Sequence, residues 1–285
     1  MKQTKDATLY AIHSPERISI YRSGQEEPIA VQQAAAHTRP FIHPITGPDG
    51  IGTLTENAPS HHPWQHGLYV GLNKVNGVGF WEEGLRGNAT DGSFHPKPLE
   101  VPWTEGNKAR WQVETEWHSP DGETMLIEKQ EWSLEDLGSG YHLDLVWTLH
   151  AQTDIVFGQH SYGGLFLRMP FRREEGGEAV NDSGQANRDA EAQPARWVAV
   201  SMPIEERDDW SGIALMDHPG NPEHPVRWRV DGELGIAPSR CISGDWRIAQ
   251  GQSAAYRHRA FVFIGRTNAE RVQESWNQFA GGEGR

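Results

Sequence analysis

Short segments in which apolar and polar residues alternate dominate this chain, and Gly, Pro, Asn and Asp separate them. Residues 110–117 (RWQVETEW) place two Trp, a Val and a Thr on one face, and residues 141–150 (YHLDLVWTLH) alternate in the same way. Between them, residues 124–134 follow a Pro-Asp-Gly turn and run back. A period of two over such lengths is typical of a sheet with one buried face.

The same pattern continues in shorter segments along the rest of the chain. We predict further strands at 17–22, 28–37, 67–73, 163–170, 195–201, 211–216, 226–230, 245–250 and 254–264. About a dozen strands are enough for two packed layers. The sequence therefore predicts an all-β fold, a large antiparallel two-sheet β-sandwich.

One helix is predicted, near the end of the chain. Asn268 can cap a segment over 268–280 in which apolar residues recur at helical spacing, and the tail 281–285 is expected to fray. Residues 172–195 are polar with little periodicity, which predicts a long loop, either a lid or disordered. No repeat or linker divides the chain, so 1–285 is predicted to be one domain.

The charge and the single cysteine narrow the functional classes. The net charge of −13 disfavours nucleic-acid and membrane partners, because an acidic surface repels phosphates. No segment is apolar for long enough to span a bilayer, and the start of the chain does not look like a secretory signal. With Cys241 as the single cysteine, a cytoplasmic location is expected. A homodimer that forms through exposed sheet edges is a further possibility, and the sequence specifies no interface for it.

The densest polar signal lies at 59–67, Pro-Ser-His-His-Pro-Trp-Gln-His-Gly. His62 and His66 have the spacing of a helical zinc motif, but Pro63 stands where the catalytic Glu would be and favours an extended loop. The imidazoles here can transfer protons near neutral pH or bind a metal. The alternative is a set of surface histidines in a Pro-rich turn.

Two further blocks combine aromatic or rigid segments with polar groups. In residues 75–82, a turn at Asn76 is followed by Trp81 and Glu82, a combination that holds sugars by stacking and hydrogen bonds. In residues 215–225, three prolines fix a loop that carries Asp217, His218 and Asn221. The alternative for residues 75–82 is a hairpin whose Trp packs into the core. The alternative for residues 215–225 is a turn with a purely structural role.

Together these blocks resemble a family of bacterial soluble proteins often labelled "methane oxygenase PmoA". The resemblance covers most of the chain and is carried by Arg39-Pro-Phe-Ile-His43-Pro, by residues 62–68, 75–81 and 215–222, and by a closing segment at 251–257. It implies a sandwich similar to galactose-mutarotase-like sugar enzymes and a place in sugar catabolism.

The sequence departs from that family at two positions. The family commonly has Asp where His61 stands and often has His where Gln65 stands, which puts a multi-histidine metal centre in doubt. The label also conflicts with the absence of a membrane-spanning segment, since true particulate methane monooxygenase subunits span the membrane.

Three hypotheses follow. The first is an epimerase, lyase or hydrolase that acts on a sugar or 3-keto-glycoside without a cofactor, with His62 and His66, or alternatively His160, as acid and base. The substrate would be bound by Arg39, His43, Trp64, Asn76, Trp81, Glu82, Arg168, Asp217, His218 and Asn221. The second adds a divalent metal held by some of His43, His62, His66 and His160. The third is a non-catalytic sugar-binding module.

All three hypotheses need a shared site. We expect residues 59–67, 76–82, 160–168 and 217–221 to meet on one concave face of the sandwich, where a small-molecule carbohydrate would bind.

Overall fold

The computed structural model describes residues 8–282, and the regular secondary structure of this span consists almost entirely of antiparallel strands. The strands are β1 (Leu9–Ser14), β2 (Arg17–Arg22), β3 (Ala30–Gln33), β4 (Phe41–Ile45), β5 (Leu68–Gly71), β6 (Ser93–Pro96), β7 (Trp103–Glu105), β8 (Lys108–His118), β9 (Thr124–Asp136), β10 (Gly140–Ala151), β11 (Ile155–Phe157), β12 (Gly164–Leu167), β13 (Glu178–Asn181), β14 (Trp197–Pro203), β15 (Trp210–Asp217), β16 (Trp228–Val230), β17 (Ile236–Pro238), β18 (Trp246–Ile248) and β19 (Ser253–Ile264).

Two large sheets pack face to face and form the sandwich. The eight-stranded sheet has the order β1-β2-β3-β4-β5-β12-β17-β16, and the nine-stranded sheet has the order β13-β14-β15-β19-β10-β9-β8-β6, with β7 paired to β8. Strands β11 and β18 form a separate two-stranded sheet. The predicted fold class, an all-β two-sheet sandwich with a short C-terminal helix, is confirmed.

The long strands of the nine-stranded sheet show why the alternation was informative. In β8, every second residue from Ala109 onward is buried, and its interior side chains pack against β9 and β10 in the main core. Burying one face of a strand requires a period of two, which is the pattern seen in the sequence. The strands that the pattern missed are mostly short or lie at sheet edges: β1, β4, β6, β7, β11, β13 and β17.

A row of polar side chains crosses the interior between the sheets. The buried carboxylate of Glu128 accepts hydrogen bonds from the indole nitrogens of Trp117 and Trp147, at 3.0 and 2.8 Å. Gln130 also donates to Glu128 and accepts from the indole of Trp132. Burial raises the pKa of Glu128, although these hydrogen bonds oppose the shift. Each polar group in this row therefore has a partner within the core.

The C-terminal helix was predicted closely. Helix α1 spans Ala269–Gly281, and the side chain of Asn268 accepts a hydrogen bond from the Arg271 backbone N–H at its start. Val272 and Phe279 pack on the outer face of the nine-stranded sheet. Of the tail expected to fray, residues 283–285 lie outside the described residues. No helix within 8–282 is long and apolar enough to cross a membrane.

The segment 172–195 differs from the expected loop. It contains β13, which pairs with β14 at the edge of the nine-stranded sheet, and a 3-10 turn at Asn187–Ala190. Ala179, Asn181 and Ala190 are buried. The polar composition misled the prediction because an edge strand of only four residues is too short for its alternation of buried and half-buried side chains to stand out in the sequence.

Candidate functional site

The candidate site lies on the outer face of the eight-stranded sheet, away from the nine-stranded sheet. Leu165 and Leu167 on β12 point into the main core, whereas Phe166 between them points outward. Tyr69 on β5 and Ala237 on β17 lie on the same outer face as Phe166. Alternation along three neighbouring strands therefore builds a small apolar surface outside the sandwich core.

Aromatic rings from three loops cover this surface. Trp81 lies with its ring centroid 4.5 Å from that of Tyr162 and packs edge-on against Phe166 at 5.4 Å. Trp64, from the predicted loop 59–67, belongs to the same cluster. These rings hold one another in place, so they form a rigid wall of the kind that the apolar face of a sugar ring packs against.

A cleft of about 290 Å³ opens beside these rings. Polar side chains share its walls with the aromatic ones. Its lining residues are His62, Trp64, Gln65, Trp81, Glu82, Arg86, Tyr162, Phe166, Arg229 and Asp231. We call this cavity the first cleft. Hydrogen-bond donors and acceptors beside an apolar wall match the chemistry of a carbohydrate.

His62 is the half-exposed imidazole of the first cleft. Its ring packs edge-on against Trp64, and Nδ1 lies 3.8 Å from a carboxylate oxygen of Glu233. Burial lowers the pKa of His62, and the nearby Glu233 offsets only part of the shift. The imidazole is therefore neutral near pH 7, as a group that accepts a proton should be.

Glu233 belongs to an ionic group at the mouth of the cleft. Its carboxylate accepts from Arg168 Nη2 at 2.5 Å and lies 2.9 Å from His61 Nε2. Arg168 also donates through Nε to Glu56. Burial would raise the pKa of Glu233, but hydrogen bonds from Arg168 and His61 lower it below its usual range. Arg168, predicted to bind substrate, thus holds these two acids through Nε and Nη2 and is not among the residues that line the first cleft.

One group of side chains near the cleft has donors suited to a divalent cation. Ligand atoms of His61, His62 and Glu233 all lie within 4.8 Å of one another. Two imidazoles and a carboxylate fit zinc or a similar cation. However, Arg168 already bonds the Glu233 oxygen and lies 3.1 Å from His61 Nε2, so a cation would have to displace a guanidinium. Of the four histidines predicted to hold a metal, His43, His62, His66 and His160, this group contains His62 alone.

His66 and Arg39 lie beneath the cleft. His66 is buried, with Nδ1 2.7 Å from the side-chain oxygen of Asn57 and Nε2 3.2 Å from Glu83. Arg39 is 1% exposed and donates to the backbone oxygens of both Trp64 and Trp81. The structure thus corrects two assignments, because neither side chain lines the cleft and both position the residues that do.

Glu83 completes this buried network, and it was not among the predicted site residues. Its backbone has a φ of +54°, which turns the side chain inward towards Arg39. Burial alone would raise the pKa of Glu83, but Arg39 and His66 lower it below its usual range. The carboxylate is therefore an anion within the protein.

Two more predicted site residues, His43 and Asn76, make contacts within the protein. His43 lies 2.9 Å from the Thr55 hydroxyl, and burial, with His66 adding to it, lowers the pKa of His43 to about 4. Asn76 fixes a turn by bonding the backbone of Asp154 and Val156. These contacts place both outside the lining of the first cleft.

His160 lies one layer behind the cleft. Its ring packs edge-on against Tyr162, with the two centroids 4.2 Å apart. Tyr162 lines the first cleft, and His160 is not among the lining residues. We therefore assign His160 to the support of Tyr162 rather than to proton transfer.

The loop at 217–221 lies elsewhere, which corrects the expectation of one shared face. Asp217 ends β15 with its side chain between the sheets, where it bonds Asn221 and His224, each at 2.7 Å. It lines a separate small cavity with Gly163, Trp147 and His258. His218 packs edge-on against Phe279 of α1. Inward alternation along β15 and the helix on its outer face place this polar loop away from the first cleft.

The structure therefore brings together three of the four predicted stretches. Residues 59–67, 76–82 and 160–168 supply the first cleft, and the turn after β16 supplies its remaining wall. That turn carries Asp231 and Glu233, and Arg229 precedes it. In the sequence, residues 229–233 look like an ordinary Asp-Gly turn. A high density of charged residues was the one feature that could have indicated a functional site there.

Comparison with known proteins adds information about the fold. No curated protein matches the sequence. An α-galactosidase from Lactobacillus brevis is similar over 95% of this chain and 41% of that chain, with 11% identity and a TM-score of 0.44. A galactose mutarotase related enzyme from Lactobacillus acidophilus is similar over 91% of this chain and 99% of that chain, with 8% identity and a TM-score of 0.38.

A candidate aldose 1-epimerase from Klebsiella pneumoniae is similar over 99% of this chain and 90% of that chain, with 11% identity and a TM-score of 0.48. The chain spans about two fifths of the length of the α-galactosidase. These similarities concern the fold alone. The predicted galactose-mutarotase-like neighbours are present, and the PmoA label is not part of any of these matches. The sequence profile that matches residues 20–277 shows that the chain belongs to the Family of unknown function (DUF6807).

Proposed function

We propose that this protein is a cytoplasmic carbohydrate-active enzyme of sugar catabolism in which His62 transfers a proton. The observation that carries the proposal is the first cleft, where a neutral, half-exposed imidazole stands beside closely packed aromatic rings. Such a cleft can orient a sugar ring while an acid/base group reaches one of its C–H or O–H bonds.

The walls of the cleft support a polyhydroxylated ligand. The half-buried ring of Tyr162, packed on the buried Trp81, offers an apolar face, and Gln65, Glu82 and Arg86 offer donors and acceptors around it. Arg86 also lies over the Trp64 ring, with its guanidinium carbon 4.5 Å from the ring centroid. The cleft is lined by neutral, acidic and basic side chains together. This mixture suits a neutral sugar better than a strongly charged ligand.

Proton transfer in epimerases, lyases and hydrolases needs a second acid/base group opposite the first. Asp231 and Glu82 are the carboxylates of the first cleft. Asp231 accepts hydrogen bonds from the backbone of Glu233 and Gly235, which fixes its position. We assign Asp231 as the partner of His62 on the basis of this fixed position, with a sugar or 3-keto-glycoside as the substrate.

Turnover of a panel of sugars and 3-keto-glycosides, followed by NMR at the reducing end and at C–H positions, tests this proposal. His62→Gln is expected to lower turnover by a factor of about 10²–10⁴, the usual contribution of an acid/base group. His150→Gln is the matched control, because His150 bonds Ser253 on the nine-stranded sheet. Full activity in His62→Gln would contradict the role of His62, and saturable binding without turnover would favour a sugar-binding module.

A metal-dependent enzyme is the second candidate. The proximity of His61, His62 and Glu233 supports it, and the bonds of Arg168 within that group oppose it. Elemental analysis of the purified protein, with and without added zinc, distinguishes the two candidates. A stoichiometric metal that is lost in Glu233→Gln would favour the metal enzyme. Activity that survives a chelator would exclude it.

A further inference from the structure

A second cleft adjoins the first one at β16, the edge strand of the eight-stranded sheet. It has a volume of about 480 Å³. Arg229 and Asp231 line both clefts, so the two cavities meet at the end of β16. A ligand held in the first cleft therefore has room to extend past these two side chains.

The far wall of this second cleft comes from the segment 172–195. Glu191 lies 2.6 Å from Arg229 and accepts a hydrogen bond from the Val230 backbone N–H. Asn187 is tied down as well, because its side-chain oxygen accepts from the Ala179 backbone N–H. These bonds attach the segment to β16 and β13, so the wall is a fixed part of the fold.

The floor of the second cleft is apolar. Phe171, Val230 and Leu234 line it. Gly177 allows two of these side chains to approach, since a Cβ there would lie 2.8 Å from Leu234 and 3.2 Å from Phe171. At the boundary, Glu191 is bonded to Arg229, and Asp231, whose Oδ1 is bonded to its own turn, is the acid/base group assigned to the sugar in the first cleft. What remains for a ligand is largely hydrocarbon surface.

We infer that the ligand is a glycoside whose sugar occupies the first cleft and whose apolar aglycone, an aryl or alkyl group, occupies the second. The inference rests on the proposed function, because the first cleft must hold the sugar. A second sugar ring would need hydrogen-bond partners, and the floor of the second cleft offers few. Burying an apolar aglycone there gains hydrophobic free energy that a free monosaccharide cannot gain.

Isothermal titration with matched methyl and phenyl glycosides of glucose and galactose, both anomers of each, tests the inference. The phenyl glycoside is expected to bind about tenfold more tightly than its methyl counterpart, as partial burial of one aromatic ring implies. Phe171→Ala should remove most of this difference and leave the methyl glycoside's affinity unchanged, which also shows that the variant is folded. Leu137→Ala is the control, because Leu137 is an exposed residue after β9.

The outcomes separate this inference from the function on which it rests. Equal affinities for the methyl and phenyl members of every pair would overturn the aglycone assignment and leave a sugar site in place. A phenyl preference that persists in Phe171→Ala would also overturn it. Failure of every glycoside to bind would overturn the proposed function, and the aglycone assignment with it.

Discussion

The guanidinium of Arg39 lies 2.6 Å from the carboxylate of Glu83, and both side chains are buried beneath the first cleft. Arg39 also holds the backbone oxygens of Trp64 and Trp81, the two indoles of the cleft wall. The ion pair therefore connects a buried charge to the positions of the aromatic rings that would contact a ligand.

Glu83→Gln is expected to lower the free energy of unfolding by about 3 kcal/mol, because it leaves Arg39 buried without its anion. Urea unfolding followed by circular dichroism measures the change. Glu135→Gln, at an exposed pair with Lys108, is the control and should cost less than about 1 kcal/mol. Equal losses in the two variants would show that the Arg39–Glu83 pair does not support the fold.

The pH dependence of turnover should report the lowered pKa of His62. Since burial favours the neutral imidazole, the acid limb of the kcat/KM profile is expected below pH 6.5, the ordinary value for histidine. Glu233→Gln removes the carboxylate that opposes this shift, so the limb should move to still lower pH in that variant. A limb that moves upward in Glu233→Gln would contradict the assignment.

Gly71→Ala should disturb the cleft through packing alone. An added Cβ would lie 2.9 Å from the Trp81 ring and would also crowd Arg39. Overpacking of this kind costs about 1–3 kcal/mol, and displacement of Trp81 should weaken sugar binding as well. Thermal unfolding and titration measure the two effects. Gly281→Ala in α1, where nothing lies near the added carbon, is the control and should leave both unchanged.

The attachment of α1 should weaken in acid because of His142. Its Nε2 lies 2.9 Å from the Ser275 hydroxyl of the helix, and burial, aided by Arg259 and Arg271, lowers the pKa of His142 to about 3. Between pH 6.5 and about 3 the unfolded chain takes up a proton here that the folded chain does not. Stability is therefore retained above pH 6.5 and lost as the pH falls through this range.

His142→Gln isolates this contribution. Relative to the variant, the native protein should lose up to about 1.4 kcal/mol of unfolding free energy per pH unit below pH 6.5. Urea unfolding at a series of pH values measures the slope. Parallel curves for the two proteins would contradict the assignment of the effect to His142.

The strands that could be predicted are those with one buried face. The long strands β8, β9 and β10 alternate clearly because each separates the core from the outer surface. Strand β1 was missed because it is an edge strand on which Tyr10 and Ile12 are exposed. Short pieces such as β17 gain their structure from sheet neighbours distant in sequence, which local patterns do not contain.

The candidate site was predictable where its chemistry is concentrated in sequence. The loop with His62 and the segment with Trp81 combine unusual residues within a few positions, and they do line the cleft. Asp231 and Glu233 reach the site through the pairing of β16 with β17, which no local pattern indicates. Asp217 looked equally functional, but the alternation of β15 turns its carboxylate into the space between the sheets.

Tryptophans in two different places, the polar row around Glu128 and the first cleft, give the molecule two fluorescence signals. Trp117 and Trp147 donate their indole N–H groups to that carboxylate, so their fluorescence reports on the interior between the sheets. Trp64 and Trp81 line the first cleft, and their emission should respond to a ligand there. Unfolding and ligand occupancy can therefore be followed in one unlabelled sample, once single Trp→Phe replacements have assigned each band.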